Sequence, residues 1–226
     1  LEPLPVERLL HRVATLHFLM SHRIVQRLGI SQVELFAVSI VHLHGGLSAE
    51  GEYLEPNEVQ QRFGDGTVER WATRVEAATS MNGAQSRVGA AVHSVRAVDP
   101  WGIAAVAAFS REQSMVLHTH LSEQPAENEQ CHAAHGSTPT QVFAEAGALG
   151  PGFSAVHATH LTGDDISLLG GARCTCCFCP TTERDLADGI GPAARLLAAG
   201  AGLSLGSDSH AVIDLLEEAR AVELDE

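Results

Sequence analysis

The chain has 226 residues, 45% of them hydrophobic, so it can bury one sizeable core, and a single domain over residues 1–226 is expected. Its formal charge of −14, from 14 Lys and Arg against 28 Asp and Glu, disfavours a surface that tracks a phosphate backbone or anionic lipid. Five cysteines, four of them packed into Cys174, Cys176, Cys177 and Cys179, do not make the spaced framework of a secreted disulfide scaffold. No apolar run approaches the roughly 18 residues that cross a bilayer, and the opening LEPLPVERLL lacks the basic start of a signal peptide. A cytoplasmic protein with no nucleic-acid or membrane partner is expected. The opening on Leu1 and the close on EEARAVELDE, which reads as mid-helix, suggest a piece of a longer product.

In chain order, a helix-like segment precedes a first strand over Leu35–Val41, and VHLHGG follows with His42 and His44. Residues 56–80 are helical in part. A strand over Arg87–Val92 then ends in His93, Ser94 and Arg96, and Pro100–Glu112 reads as a helix. The next strand, Met115–His118, runs into HTHLSEQ, which holds His118, His120 and Glu123. Helices follow over Gln124–His135 and Thr138–Ala146, the second capped by Ser137 or Thr138 ahead of Pro139. A strand over Ala155–His157 ends in HATH, and Thr162 caps a helix over Asp164–Leu169. A strand over Arg173–Phe178 leads into PTTERD, and a helix over Pro192–Ala199 comes next. The strand Leu203–Gly206 ends in SDSH with Asp208, and Ile213–Leu224 is helical. Six strands alternating with helices are the pattern of βα units around a parallel sheet, so the fold class is α/β, a (β/α) TIM-like barrel with about six strands.

In such barrels the chemistry sits at the C-terminal strand ends, which is where the polar residues of this chain collect. His120 and Asp208 are suitable ligands for one divalent metal, zinc first, with iron or manganese also compatible. Glu123, three residues after His120, is placed to carry protons between an attacking water and a leaving nitrogen, and His157 to hold that water or polarise the electrophile. Each has a plainer reading: a His-x-His is a modest signal, Asp208 could cap a turn, and His157 could be a satisfied rim histidine. Their joint placement at successive strand tips favours the functional reading. Cysteines alternating along a strand face opposite ways, so the Cys cluster is read as buried core. On spacing alone His42 and His44 are candidates for a first-strand metal pair.

HTHLSEQPAENEQC, HATHLT, CPTTERDLADGIGP and GSDSHAVIDLLEEAR, with HSVRAV and RFGDG, resemble the N-formimino-L-glutamate deiminases of the amidohydrolase superfamily, from about Gly45 to the C-terminus. The resemblance implies a mononuclear zinc site with His120 and Asp208 as ligands, His157 beside the bound water and Glu123 as the proton carrier. It also implies that His93 and Arg96 hold the carboxylates of a small-molecule substrate, and it makes His118 a neighbour rather than a ligand. The implied reaction converts N-formimino-L-glutamate and water to N-formyl-L-glutamate and ammonia in histidine breakdown. The family carries a His-x-His on its first barrel strand. Counting back from Asp208 makes Leu35–Val41 the third strand and puts His42 and His44 on a substrate loop, so two βα units and the first-strand ligands are expected to be absent. Two other readings stay open: a deaminase of another small substrate, which would have no use for a carboxylate anchor, and a non-catalytic remnant that binds or assembles. An open six-stranded barrel exposes two sheet edges, so a homo-oligomer is among the expected partners.

Overall fold

The computed structural model describes residues 35–41, 43–62, 64–83, 86–209 and 213–225. The chain runs β1 (Leu35–Val41), β2 (Gly46–Leu47), β3 (Tyr53–Leu54), α1 (Val68–Ala78), β4 (Ser86–Val92), α2 (Pro100–Glu112) and β5 (Leu117–Leu121). It continues through α3 (Pro125–His135), α4 (Pro139–Glu145), β6 (Phe153–His157), α5 (Gly163–Gly171), β7 (Thr175–Phe178), α6 (Pro180–Leu186), α7 (Ala193–Ala199), β8 (Gly202–Leu205) and α8 (Leu215–Asp225). Six strands form one parallel sheet in the order β1-β4-β5-β6-β7-β8, and β2 and β3 make a small antiparallel pair. Each strand of this sheet is joined to the next across at least one helix, as parallel neighbours require, with the β2–β3 pair inserted between β1 and β4.

The helix starts follow from local chemistry. Asp99 caps α2 by accepting a hydrogen bond from the Gly102 amide at 2.7 Å, with Pro100 in the first turn. Thr138 and Thr162 cap α4 and α5, each in a reciprocal box with the residue three positions on, Gln141 and Asp165. Thr138 also donates to Asp165 at 2.5 Å, which fastens α4 to α5.

The two sheet faces differ, and the difference positions the site. Along β5, Leu117, Thr119 and Leu121 are buried while His118 and His120 are half-buried. The buried face packs under α2 to α5 in a core that includes Ile103, Val106, Phe143, Ile166 and Leu169. The other face, which a closed barrel would turn inward, carries His120, Val156, Cys177 and Ser204 side by side in one row of the register. Among the described residues the sheet stays open, with β1 and β8 at its edges.

Six strands in parallel agree with the expected (β/α) architecture, and the departures are local. The strand expected over Met115–His118 starts two residues later and continues to Leu121, because the period-2 alternation of LHTHL, with its imidazoles on the inner face, outweighs the apolar run. PTTERD, expected as a polar strand tip, winds into α6, with Pro180 in its first turn. The segment after Val41 forms the β2–β3 pair, which was too short to be legible as strands.

Candidate active site

Three strand ends are distorted where the polar residues gather. Ser122 after β5, His157 and Ala158 at the end of β6, and Asp208 after β8 all have positive φ, at 49°, 70°, 53° and 33°. Non-glycine residues pay for that conformation, and such strain concentrates at functional sites. Here it re-aims His157, a strand-terminal residue with 1% exposure, into the space between β5 and β7.

His120 is oriented by the preceding strand. Its backbone amide donates to the His93 carbonyl at 3.1 Å, and its Nδ1 lies 2.8 Å from the same oxygen. A carbonyl only accepts, so Nδ1 carries the proton and Nε2 keeps its lone pair for an incoming ion. The His120 ring stacks 5.7 Å from that of His157 at an interplanar angle of 17°, and the half-buried His93 ring lies 5.2 Å away on the other side. The three imidazoles therefore form one file. His118, lower on the same face, has its pKa lowered by burial and by the neighbouring His120.

His157 is bracketed by two carboxylates. Nδ1 is 3.3 Å from Glu183 Oε1, and Nε2 is 3.7 Å from Glu123 Oε1. Burial works against the imidazolium, but the Glu183 hydrogen bond and the charges of Glu123, Glu183 and Asp208 outweigh it and raise the pKa above the ordinary value. Asp208 is thus within electrostatic reach of His157, on an exposed turn pinned where the Ser209 amide donates to Thr182 Oγ1 at 3.1 Å. Helix α6 supplies both Thr182 and Glu183, and is itself held where Thr181 donates its amide and hydroxyl to the buried Glu218 of α8, at 3.0 and 2.5 Å.

Arg96 reaches Glu123 Oε2 at 3.5 Å and the fully buried Glu127 at 3.8 Å. Its Nε is buried without a hydrogen-bond partner. Glu127 takes the amides of Ser122 and Glu123 at 3.2 and 3.3 Å, so it fixes the turn that presents Glu123. Burial pushes the Glu127 carboxyl up, against the pull of Arg96 and the two amides.

The structure therefore brings His93, Arg96, His120, Glu123 and His157 together, with Asp208 at the rim. His44 does not join them: it pairs with Asp99 at 3.1 Å, and its ring lies tilted against that of Tyr53 with centroids 4.4 Å apart. His42 lies outside the described residues. Sequence reasoning gave no role to Glu127 or Glu183; the only trace of either was a carboxylate four residues beyond Glu123 and Cys179. The cysteines divide. Cys174 and Cys176 are buried core as expected, whereas Cys177 and Cys179 are hydrogen-bonded to each other beside His157. Among the described residues one group of three could hold a cation: His157, Cys179 and Glu183, whose ligand atoms lie within 4.8 Å of one another.

A sequence model of the amidohydrolase family matches residues 38–224. The chain belongs to the amidohydrolase family. Among its relatives, formimidoylglutamate deiminase of Pseudomonas aeruginosa is 30% identical over 204 residues, covering 90% of this chain and 44% of that protein. A 5-methylthioadenosine/S-adenosylhomocysteine deaminase of Pelotomaculum thermopropionicum is 33% identical over 147 residues, 63% of this chain and 34% of that one. The chain thus spans less than half the length of the curated amidohydrolases it matches. An amidohydrolase structure from Brucella melitensis, 29% identical, superposes with a TM-score of 0.75 over 83% of this chain and 41% of its own. An adenosine deaminase from Xanthomonas campestris with bound zinc superposes at 0.67 over 83% of this chain and 40% of its own; at 20% identity it speaks for the amidohydrolase fold alone.

Proposed function

We propose that this chain carries, in one barrel-type domain, the catalytic strand ends of a metal-dependent hydrolytic deiminase that converts N-formimino-L-glutamate and water to N-formyl-L-glutamate and ammonia. The observation that carries the reading is the file His93–His120–His157 flanked by Glu123 and Arg96. The wide match to formimidoylglutamate deiminase supports the same substrate.

His120 and Asp208 fit a divalent ion. His120 has one ring nitrogen tied to a carbonyl and the other open, which is how metal-ligating imidazoles are usually held, and Asp208 adds a hard anionic oxygen. When bound, the ion supplies Lewis acidity and makes water nucleophilic near neutral pH. Zinc is the proposed ion, and iron and manganese suit the same donors.

The remaining work falls to the chain's own groups. Arg96, with its unpartnered Nε, has a donor edge to offer a substrate carboxylate, and His93 beside it offers another. Glu123 takes the proton of the attacking water and returns it to the departing nitrogen. His157, its pKa raised against its burial by the Glu183 hydrogen bond and the charges of Glu123, Glu183 and Asp208, stabilises charge as the tetrahedral adduct forms and collapses. The carbon–nitrogen bond to the terminal amino group breaks, and ammonia leaves.

Purine-type deaminases also match, but over shorter stretches, and a neutral base has no use for Arg96. Ammonia release should therefore occur with N-formimino-L-glutamate and not with 5-methylthioadenosine or 8-oxoguanine. Arg96→Ala should raise KM about tenfold to a hundredfold with a smaller change in kcat, the loss of a charge-assisted hydrogen bond. Turnover of a purine, or an Arg96→Ala enzyme with unchanged KM, would contradict the substrate assignment.

A further inference from the structure

The group His157, Cys179 and Glu183 uses neither His120 nor Asp208. One ligand atom of each lies within 4.8 Å of the other two, and the three residues are 1%, 2% and 3% exposed. Such burial is unusual for a carboxylate, a thiol and an imidazole in one place, and each has its orientation fixed. Glu183 Oε1 accepts the Cys179 amide at 2.8 Å and sits 3.3 Å from His157 Nδ1, while the Cys179 thiol is hydrogen-bonded to Cys177. Across the gap is Gly206. A Cβ there would lie 3.0 Å from the Cys179 sulfur and 3.4 Å from the Cys177 sulfur, so any larger residue would press on both sulfurs.

We propose that His157, Cys179 and Glu183 form a second cation site, specific for a thiophilic divalent ion such as Zn2+ or Cd2+. Imidazole, thiolate and carboxylate together are a borderline-soft donor set, unlike the imidazole and carboxylate of His120 and Asp208. Donors around tetrahedral zinc are roughly 3.3–3.8 Å apart, so the side chains close on the ion by about 1 Å. Binding releases the Cys179 thiol proton and the His157 Nδ1 proton to solvent, and His157 binds through Nδ1 with its remaining proton on Nε2, facing Glu123. Glu183 exchanges its contact with His157 for the ion and keeps the Cys179 amide. If the reading under Proposed function holds, an ion here withdraws His157 from the reaction, so occupancy turns the enzyme off. The site itself does not depend on that reading.

The test needs no turnover. Chelator-stripped protein is titrated with Cd2+ while the ultraviolet thiolate-to-metal charge-transfer absorption is followed by difference spectroscopy. The band should rise and saturate in the wild type, persist in Asp208→Ala, vanish in Cys179→Ser, and require about tenfold or more Cd2+ in Glu183→Gln. Absence of the band in the wild type overturns the site, as does its persistence in Cys179→Ser or its loss in Asp208→Ala. An unchanged Cd2+ dependence in Glu183→Gln overturns it as well, and that variant keeps the test decisive if Cys179→Ser does not fold.

Discussion

Two residues illustrate how position sets reactivity. Cys177 sits on the inner face, where the hydrogen bond from Cys179, that from Ser204 and the charge of His157 outweigh burial and bring its pKa down to about 7. Cys131 and Cys176 are pushed up to about 12, chiefly by burial. Iodoacetamide at neutral pH should therefore modify Cys177 about tenfold or more faster than those two, with the fast phase missing in Cys177→Ser. Peptide mapping by mass spectrometry reads this directly, and labelling of Cys131 or Cys176 first would contradict it. His157 titrates the other way. Its folded pKa is raised above the ordinary 6.5, so its favourable contribution is complete below that value and is lost as pH rises through the folded pKa. In metal-free protein, the urea-midpoint advantage of wild type over His157→Gln should be largest near pH 6 and smaller by about pH 9. A constant gap across that range would contradict the bracketing by Glu123 and Glu183.

At the scale of elements, α5 and α7 meet at a glycine. A Cβ on Gly170 would lie 2.4 Å from the Ala199 carbonyl oxygen and 2.5 Å from the Ala199 Cβ, and backbone cannot yield as a flexible side chain can. Gly170→Ala should cost about 1–3 kcal/mol, read as a lower urea midpoint with the slope unchanged. An unchanged midpoint would show that the helices part freely. Which elements were legible depended on their length and on the company they keep. The helix Pro100–Glu112 carries its own cap and proline, and β1 carries an apolar run interrupted only by Ser39, so both were readable from the sequence. The seven-residue α6 was not, because its fold depends on Glu218, 37 positions downstream, receiving Thr181. The candidate site divides the same way. His120, His157 and Asp208 announce themselves at strand tips, whereas Glu183 and Glu127 act through contacts across turns that no local pattern encodes. His93 and Arg96 stand immediately after an apolar strand, and that alone made them visible.

For the molecule as a whole, parallel βα units put every strand end on one rim, so residues distant in sequence meet there: His93 stands beside His120, and Glu123 and Glu183 flank His157. The acidic balance of the chain is continued in that site, where Glu123, Glu183 and Asp208 surround one imidazole and favour a cation. No helix among the described residues is long and apolar enough to cross a membrane. The six-stranded sheet is open among the described residues, and the chain covers less than half the length of its curated relatives; the proposed function requires that the strand ends it does carry hold a metal and use it. The most direct measurement loads stripped protein with Zn2+, determines bound metal by elemental analysis, and follows ammonia release from N-formimino-L-glutamate in wild type and in Asp208→Ala. Zinc-dependent ammonia release in the wild type, with loss of both turnover and tight zinc in Asp208→Ala, is the predicted result. Full zinc retention and turnover in Asp208→Ala, or a zinc-loaded wild type that releases no ammonia, would contradict it.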